Sequence, residues 1–259
     1  MTLADAKQRF SNRVADYVRH RPGYPAAMYD LLARDCGLRT EHVIADIGSG
    51  TGLLSKLFLD RGNPVLGVEP NPEMRAGGEE FLRGYSKFTS INGSAETTTL
   101  GDASVNFITA GQAFHWFDPT VARREFHRIL KPDGFVVVAW NDRRISETRF
   151  GREYEDLLVR FSTDYTRVKE TYPEAAAMQR FFGESNFHSA ELPNFQEFDF
   201  DGLAGRLRSS SYAPKEGHAN YEPMMNELKR IFDENQVDGR VRMTYTTQIY
   251  FGQLDAPGK

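Results

Sequence analysis

The 259-residue chain has a single cysteine, no long apolar run and no strong excess of either charge. Cys36 alone cannot form an internal disulfide, and no cluster of metal-ligating residues surrounds it in sequence, so a reducing compartment is the natural setting. No apolar stretch approaches the ~18 residues that a membrane span needs. The first residues are polar and charged rather than signal-like, so a cytoplasmic location with no membrane partner is expected. A net charge of −4 with the signs interspersed leaves no basic footprint for nucleic acid. Internal repeats and low-complexity tracts are also missing. A chain of this size should bury about three quarters of its unfolded surface and needs no covalent staples. Nothing in the pattern indicates an oligomeric state.

What is present is organised around residues 43–53. Val43-Ile44-Ala45-Asp46-Ile47 is a short, β-branched apolar run that predicts a buried strand. Gly48-Ser49-Gly50-Thr51-Gly52 then breaks it, and Leu53 to Leu59 resumes with helical spacing. Strand, glycine turn and helix open a nucleotide-binding βαβ unit. Alternate glycines suit a turn with unusual backbone angles and a ligand that approaches the main chain closely.

The spacing narrows the ligand. A dinucleotide fingerprint places its third glycine where this chain has Leu53. Asp46 precedes the turn and would repel a pyrophosphate while suiting an ammonium group. The second strand, 64–68, ends in Glu69, about twenty residues past the first glycine, where an acid accepts ribose hydroxyls. A ribose, an amine and no phosphate describe S-adenosyl-L-methionine.

Further along, strands are predicted over 87–92, 104–110 and 135–140, alternating with helices over 71–83 and 119–130, with 130–134 as a turn. Helices over 3–21 and 26–36 precede the first strand, the second ending at Gly37. After Asn141 the rhythm breaks into a charged, aromatic, helical stretch over 147–182. A strand over 195–200, a helix over 222–235 and a last strand over 244–254 follow. The expected fold is α/β: a doubly wound, Rossmann-like, seven-stranded and mostly parallel sheet, with strand 7 antiparallel. One domain, 1–259, is expected, with N-terminal lid helices at 1–40 and a cofactor core at 41–141. A helical insertion would occupy 142–190 and the last strands and helix 191–259.

The glycine turn with Glu69 resembles the first two motifs of class I S-adenosylmethionine-dependent methyltransferases. Phe10, Arg13 and Tyr17, then Arg21-Pro22-Gly23-Tyr24-Pro25, His115-Trp116-Phe117 and Leu130-Lys131-Pro132-Asp133-Gly134 extend the likeness. They resemble the small-molecule branch called methyltransferase type 11, particularly its trans-aconitate-methyltransferase-like members. The resemblance implies methyl transfer to a small-molecule acceptor, with S-adenosyl-L-homocysteine as product and O-methylation of a carboxylate or hydroxyl favoured. Asp46, Gly48, Ser49, Gly50, Gly52 and Glu69 would hold the cofactor. Pro70 and Met74 would sandwich its adenine, the Ala95 N–H would meet a ring nitrogen, and Ser94 or Glu96 would accept from the exocyclic amine. Gly111 and Gln112 would lie beside the sulfonium.

For the acceptor, the resemblance implies Tyr17, Arg21 and Tyr24 from the lid and His115 and Trp116 from the end of strand four, and Tyr212 in the Ser209-Ser210-Ser211-Tyr212 run is a further candidate to face the pocket. Arg21 can clamp a carboxylate bidentately, or it can simply fix the turn between two helices with Tyr24. His115 is either a packed pocket histidine or the general base, since its ordinary pKa lies near neutrality. Neither the Asn-Pro-Pro-Tyr tetrad of amino-nucleobase methyltransferases nor a Pro-Cys nucleophile is present, Cys36 following Asp35. The rival readings are a non-catalytic S-adenosylmethionine-binding protein and, less well supported, an NAD-dependent oxidoreductase.

Overall fold

The apolar run before the glycine turn forms β1 (Ile44–Ile47), and all four of its residues are buried. A strand buried on both faces reads as continuous apolar sequence because helices cover the sheet on both sides. The computed structural model describes residues 19–165, 175–183 and 187–255. Parallel to β1 run β2 (Val65–Val68) on one side and β4 (Val105–Gly111) on the other, with β3 (Phe88–Ile91) beyond β2. Next to β4 lies β5 (Leu130–Arg143). The sheet closes with β6 (Phe187–Phe198) at its edge and β7 (Val241–Gly252) antiparallel between β5 and β6. The order is β3-β2-β1-β4-β5-β7-β6, the doubly wound arrangement expected. Its strand order reverses between β1 and β4, and a crevice opens there beyond the carboxyl ends of the strands.

Local signals explain the helices. Helix α1 (Ala26–Cys36) stops at Gly37, whose left-handed φ of 64° lets its N–H reach the Leu32 carbonyl. After α2 (Leu53–Leu59) come α3 (Pro72–Phe81) and α4 (Pro119–Ile129). Both begin with proline behind a capping side chain: Asn71 accepts from the Glu73 and Met74 N–H groups, and Asp118 from those of Thr120 and Val121. The stretch after β5 supplies α5 (Arg149–Phe161) and α6 (Ala175–Phe182), then α7 (Phe200–Arg208) and α8 (Tyr221–Asn235).

Apolar residues gather in three clusters. Met28, Leu32, Phe58 and Phe107 pack on one sheet face, and Ile47, Ile108, Phe126 and Phe181 on the other. A third cluster joins Tyr154, Leu158, Leu203, Leu228 and Ile231 to Met243 and Tyr245 at the start of β7. Cys36 is buried, and burial pushes its thiol up to about 12, which makes it unreactive at neutral pH.

Three expectations change. The sixth strand is β6, which begins at Phe187, inside the stretch assigned to the insertion, and ends at Phe198 rather than Phe200. The carboxylate of Asp199 accepts the Gly202 N–H and starts α7, a helix hidden by the apparent alternation of Phe198 and Phe200. Residues 130–134 are not a turn leading into a strand but part of β5, where the register with β4 shifts between Val105 and Phe107. The helix expected over 3–21 lies almost wholly outside the described residues. No described helix is long and apolar enough to cross a membrane.

Candidate active site

The crevice is a cleft of about 1140 Å³, counting its open mouth, walled by the ends of β1, β2 and β4 and by the segment that leads into α1.

One wall is the glycine turn. Gly48 has φ 67°, and a Cβ there would lie 2.7 Å from the Ala113 Cβ, so neither the angle nor the space admits a side chain. Gly52, at φ 84°, does not face the cleft. It starts α2, and an added Cβ would meet Leu82 at 2.5 Å, so its service is to packing. The Gly50 N–H donates to Glu69 Oε2 at 2.9 Å, and the Asn71 N–H donates to Oε1 at 2.8 Å. Glu69, only 8% exposed, therefore ties the turn after β1 to the turn after β2.

Asp46 closes the floor and is 1% exposed. Its oxygens accept from Ser55 Oγ at 2.6 Å and Thr109 Oγ1 at 3.0 Å. Burial raises its pKa to about 6, against the lowering effect of those two hydroxyls. It is thus largely ionised at pH 7 but poised to protonate just below.

Ser49, Pro70, Met74, Ser94, Ala95, Glu96, Gly111 and Gln112 also line the cleft. The Glu96 carboxylate already accepts the Asp118 N–H at the start of α4, so it is engaged with the protein itself. Gln112 has a positive φ of 56°, and its Oε1 is buried without a hydrogen-bond partner among the described residues. The buried hydroxyl of Thr51 in the same wall also has no partner. Buried polar atoms of this kind are satisfied by water or by a ligand.

The acceptor-side residues divide. Arg21, Tyr24 and Trp116 line the cleft. Tyr24 lies over Gly111, where its hydroxyl leaves no room for a Cβ. The chain at 20–23 is pinned to the sheet: Asn141 and Asn194 donate to the Gly23 carbonyl, and Gln196 donates to that of His20. His115 stands one residue back, its ring 4.7 Å from that of Trp116 between centroids, and it does not form the wall. Burial lowers its pKa to about 4, so it is neutral at pH 7 but a weak base. Tyr212 is buried away from the cleft, behind Arg21. Tyr17 lies outside the described residues. Sequence reasoning passed over Pro22, Thr51, Leu53, Leu54, Asn71, Ala113 and Phe117, all of which line the cleft. Most are immediate neighbours of residues already singled out, so adjacency to the motifs was the available signal.

Fold and cleft together define a class I, Rossmann-like methyltransferase architecture. Residues 45–138 match the family model described as "Methyltransferase domain". An uncharacterized methyltransferase of Mycobacterium tuberculosis is 35% identical over 173 residues, 66% of this chain and 66% of that protein. An uncharacterized methyltransferase-like protein of Schizosaccharomyces pombe is 33% identical over 138 residues, 52% of each. This chain thus spans just under two thirds of its mycobacterial relatives and about half of the yeast one. Among solved structures, a protein of Anaeromyxobacter dehalogenans described as a type II methyltransferase superposes with a TM-score of 0.65 at 21% identity, covering 91% of this chain and 99% of that one. Geranyl diphosphate methyltransferase in complex with S-adenosylmethionine gives 0.50 at 12%, covering 88% and 85%. At these identities the structural likeness speaks to fold alone. Over these residues the chain is similar to S-adenosylmethionine-dependent methyltransferases, and S-adenosylmethionine is the cofactor this likeness supports. The residues present fit that molecule: two fixed carboxylates flank the turn, and Thr51 and Gln112, which line the same cleft, each hold a buried oxygen without a hydrogen-bond partner among the described residues.

Proposed function

We propose that this protein moves a methyl group from S-adenosylmethionine to an oxygen of a small-molecule acceptor, a carboxylate or a hydroxyl. The observation that carries the reading is the pair of carboxylates, Asp46 and Glu69, held at the ends of adjacent strands on either side of the glycine turn. Such a wall repels a pyrophosphate and suits a sugar diol and an ammonium group. That weighs against a dinucleotide oxidoreductase.

When bound, the cofactor supplies an electrophilic methyl group on a sulfonium, open to in-line displacement. The chain's own work is to bind, align and exclude water. Glu69 accepts the ribose hydroxyls, Asp46 faces the ammonium, and Pro70 and Met74 bracket the adenine beside Ala95. Ser94 or Glu96 accepts from the exocyclic amine, the Glu96 carboxylate being oriented by the Asp118 N–H that it accepts. Arg21, Tyr24 and Trp116 orient the acceptor over Gly111 and Gln112. Alignment of this kind can contribute on the order of 7–11 kcal/mol.

The position of His115 favours a carboxylate acceptor over a hydroxyl. A carboxylate is already ionised and needs no base, whereas a hydroxyl would require a stronger and better exposed base than an imidazole with a pKa of about 4. That preference agrees with the trans-aconitate-methyltransferase-like placement. The test is transfer of radiolabelled methyl to a panel of small carboxylic acids, phenols and amines. Label in base-labile methyl ester from the acids supports the reading; label in none of the panel, with S-adenosylhomocysteine bound, would leave a cofactor-binding protein without this activity.

A further inference from the structure

Residues 22–25, which lead into α1, belong to neither helix nor strand, yet side chains of the sheet hold them in place. Asn141 stands two residues past Ala139 in β5, on the face that carries the first apolar cluster, and is 5% exposed. Its Nδ2 donates to the Gly23 carbonyl at 3.2 Å, and its Oδ1 accepts from Thr247 Oγ1 at 2.6 Å and from Asn194 Nδ2 at 3.0 Å. Asn194 Nδ2 also donates to the Gly23 carbonyl, at 2.9 Å, while its Oδ1 accepts the Phe195 N–H. Two residues further along β6, Gln196 Nε2 donates to the His20 carbonyl at 3.1 Å, and its Oε1 accepts from Tyr245 Oη at 2.9 Å. Tyr245 Oη lies 3.5 Å from Arg206 Nε, which joins this stripe to the polar group of Arg143, Tyr154 and Arg206 between β5, β7, α5 and α7.

Apolar side chains would fill this place at less cost, as Ala139, Ile249 and Ala190 do nearby on the same three strands. A buried polar network with its partners in place fixes one geometry more than it adds stability. What this one fixes is the backbone on either side of Arg21 and Pro22. Two further ties act on the same segment. The Arg21 guanidinium donates to the Ser209 carbonyl at the end of α7, and the His20 ring fills the space that a Cβ on Gly205 would need. The residue that these ties deliver is Tyr24, whose hydroxyl lies over Gly111 in the cleft that Gly48 and Gly50 also line.

We propose that Asn141 and Asn194 are positioning residues: by gripping the Gly23 carbonyl together they keep Tyr24 seated over Gly111, and so set how fast a bound cofactor leaves the cleft. Neither asparagine lines the cleft, so each acts through the segment and not on the ligand. The inference rests on the methyltransferase reading above and adds to it two residues of β5 and β6, more than a hundred positions from the segment they hold.

The experiment measures S-adenosylhomocysteine dissociation by stopped flow, followed through the fluorescence of Trp116 in the cleft wall. Asn194→Val suits it, because Asn194 is half-buried on an edge strand, where valine is well tolerated. The substitution speeds dissociation on the order of tenfold, while the dissociation constant changes by no more than about threefold because association speeds as well. Its melting temperature falls by no more than a few degrees. An asparagine that served the fold alone would lower the melting temperature without this split between rate and affinity. Asn141→Leu acts in the same direction; if that variant does not fold, Asn194→Val decides. Tyr24→Ala speeds dissociation by itself, and on that background Asn194→Val adds less than about twofold. An unchanged dissociation rate in Asn194→Val, or effects of the two substitutions that multiply in full, overturns the positioning role. Failure of wild-type protein to bind S-adenosylhomocysteine overturns the cofactor reading instead, and the positioning role with it.

Discussion

The turns at the ends of β1 and β2 and the buried polar group between β5, β7, α5 and α7 are built in opposite ways. On the first, Asp46, the glycine turn and Glu69 lie within about twenty residues of one another, and backbone N–H groups do much of the holding. On the second, Arg143, Tyr154, Arg206 and Tyr245 come from four separate elements and meet only through tertiary packing. The first wall is adapted to a part of the ligand that is common to a whole family of reactions, and its geometry is local. The second lies outside the cleft wall, and its polar groups are spread over an elaboration of the fold. On the proposed function, cofactor recognition should therefore be robust to changes in the insertion.

Substitutions can break that contrast. The largest effect is expected from Glu69→Ala, which removes the acceptor for two backbone N–H groups and for the ribose diol. Charge-assisted bonds of this kind contribute about 1.5–3 kcal/mol each, so S-adenosylhomocysteine affinity measured by calorimetry should fall on the order of a hundredfold.

Asp46→Asn follows, and its two effects have opposite signs. A carboxyl whose folded pKa is raised to about 6 binds more protons folded than unfolded between pH ~4 and ~6. Its ionisation therefore lowers stability progressively across that window and by a constant amount above it, on the order of 1–3 kcal/mol. Asp46→Asn should raise the melting temperature at pH 7.5 by a few degrees while weakening S-adenosylmethionine binding about tenfold. In the wild type the same titration should weaken binding as pH falls from 7 to 5, and the variant should lose that dependence. A variant no more stable than wild type at pH 7.5 would show that the buried charge is better compensated than its surroundings indicate.

Gly52→Ala should act on stability alone. The left-handed angle and the contact with Leu82 together should lower stability by about 1–3 kcal/mol, seen as a drop of several degrees in thermal melts, with cofactor affinity at 20 °C nearly unchanged. The smallest effect is expected from His115→Asn, at most a few-fold in kcat with a carboxylic acid acceptor and no displacement of the pH–rate profile. A large loss, with a new inflection, would restore the imidazole as a base.

The same contrast governs what could be read in advance. The five central strands and the cofactor wall were legible because each is written in contiguous residues: a β-branched run, three alternate glycines, an acid at a fixed offset. The boundary between β6 and α7 was not, because Phe198 and Phe200 continue a two-residue alternation across the point where Asp199 turns the chain into a helix. Arg206 carried no signal at all, since an arginine in an amphipathic helix ordinarily faces water; only the packing of α5, α7 and β7 buries it. Tyr212 was singled out as part of the acceptor pocket, yet it lies behind Arg21 rather than in the cleft wall, a placement that spacing along the chain does not encode.

The central claim is that the crevice beside Asp46 and Glu69 accepts an adenosyl sulfonium compound and refuses a dinucleotide. Parallel calorimetric titrations of wild-type protein and Glu69→Ala with S-adenosylhomocysteine and with NAD test it most directly. The account predicts micromolar or tighter binding of S-adenosylhomocysteine to the wild type, sharply weakened in Glu69→Ala, and no heat from NAD. Saturable NAD binding, or S-adenosylhomocysteine binding indifferent to Glu69, would contradict it.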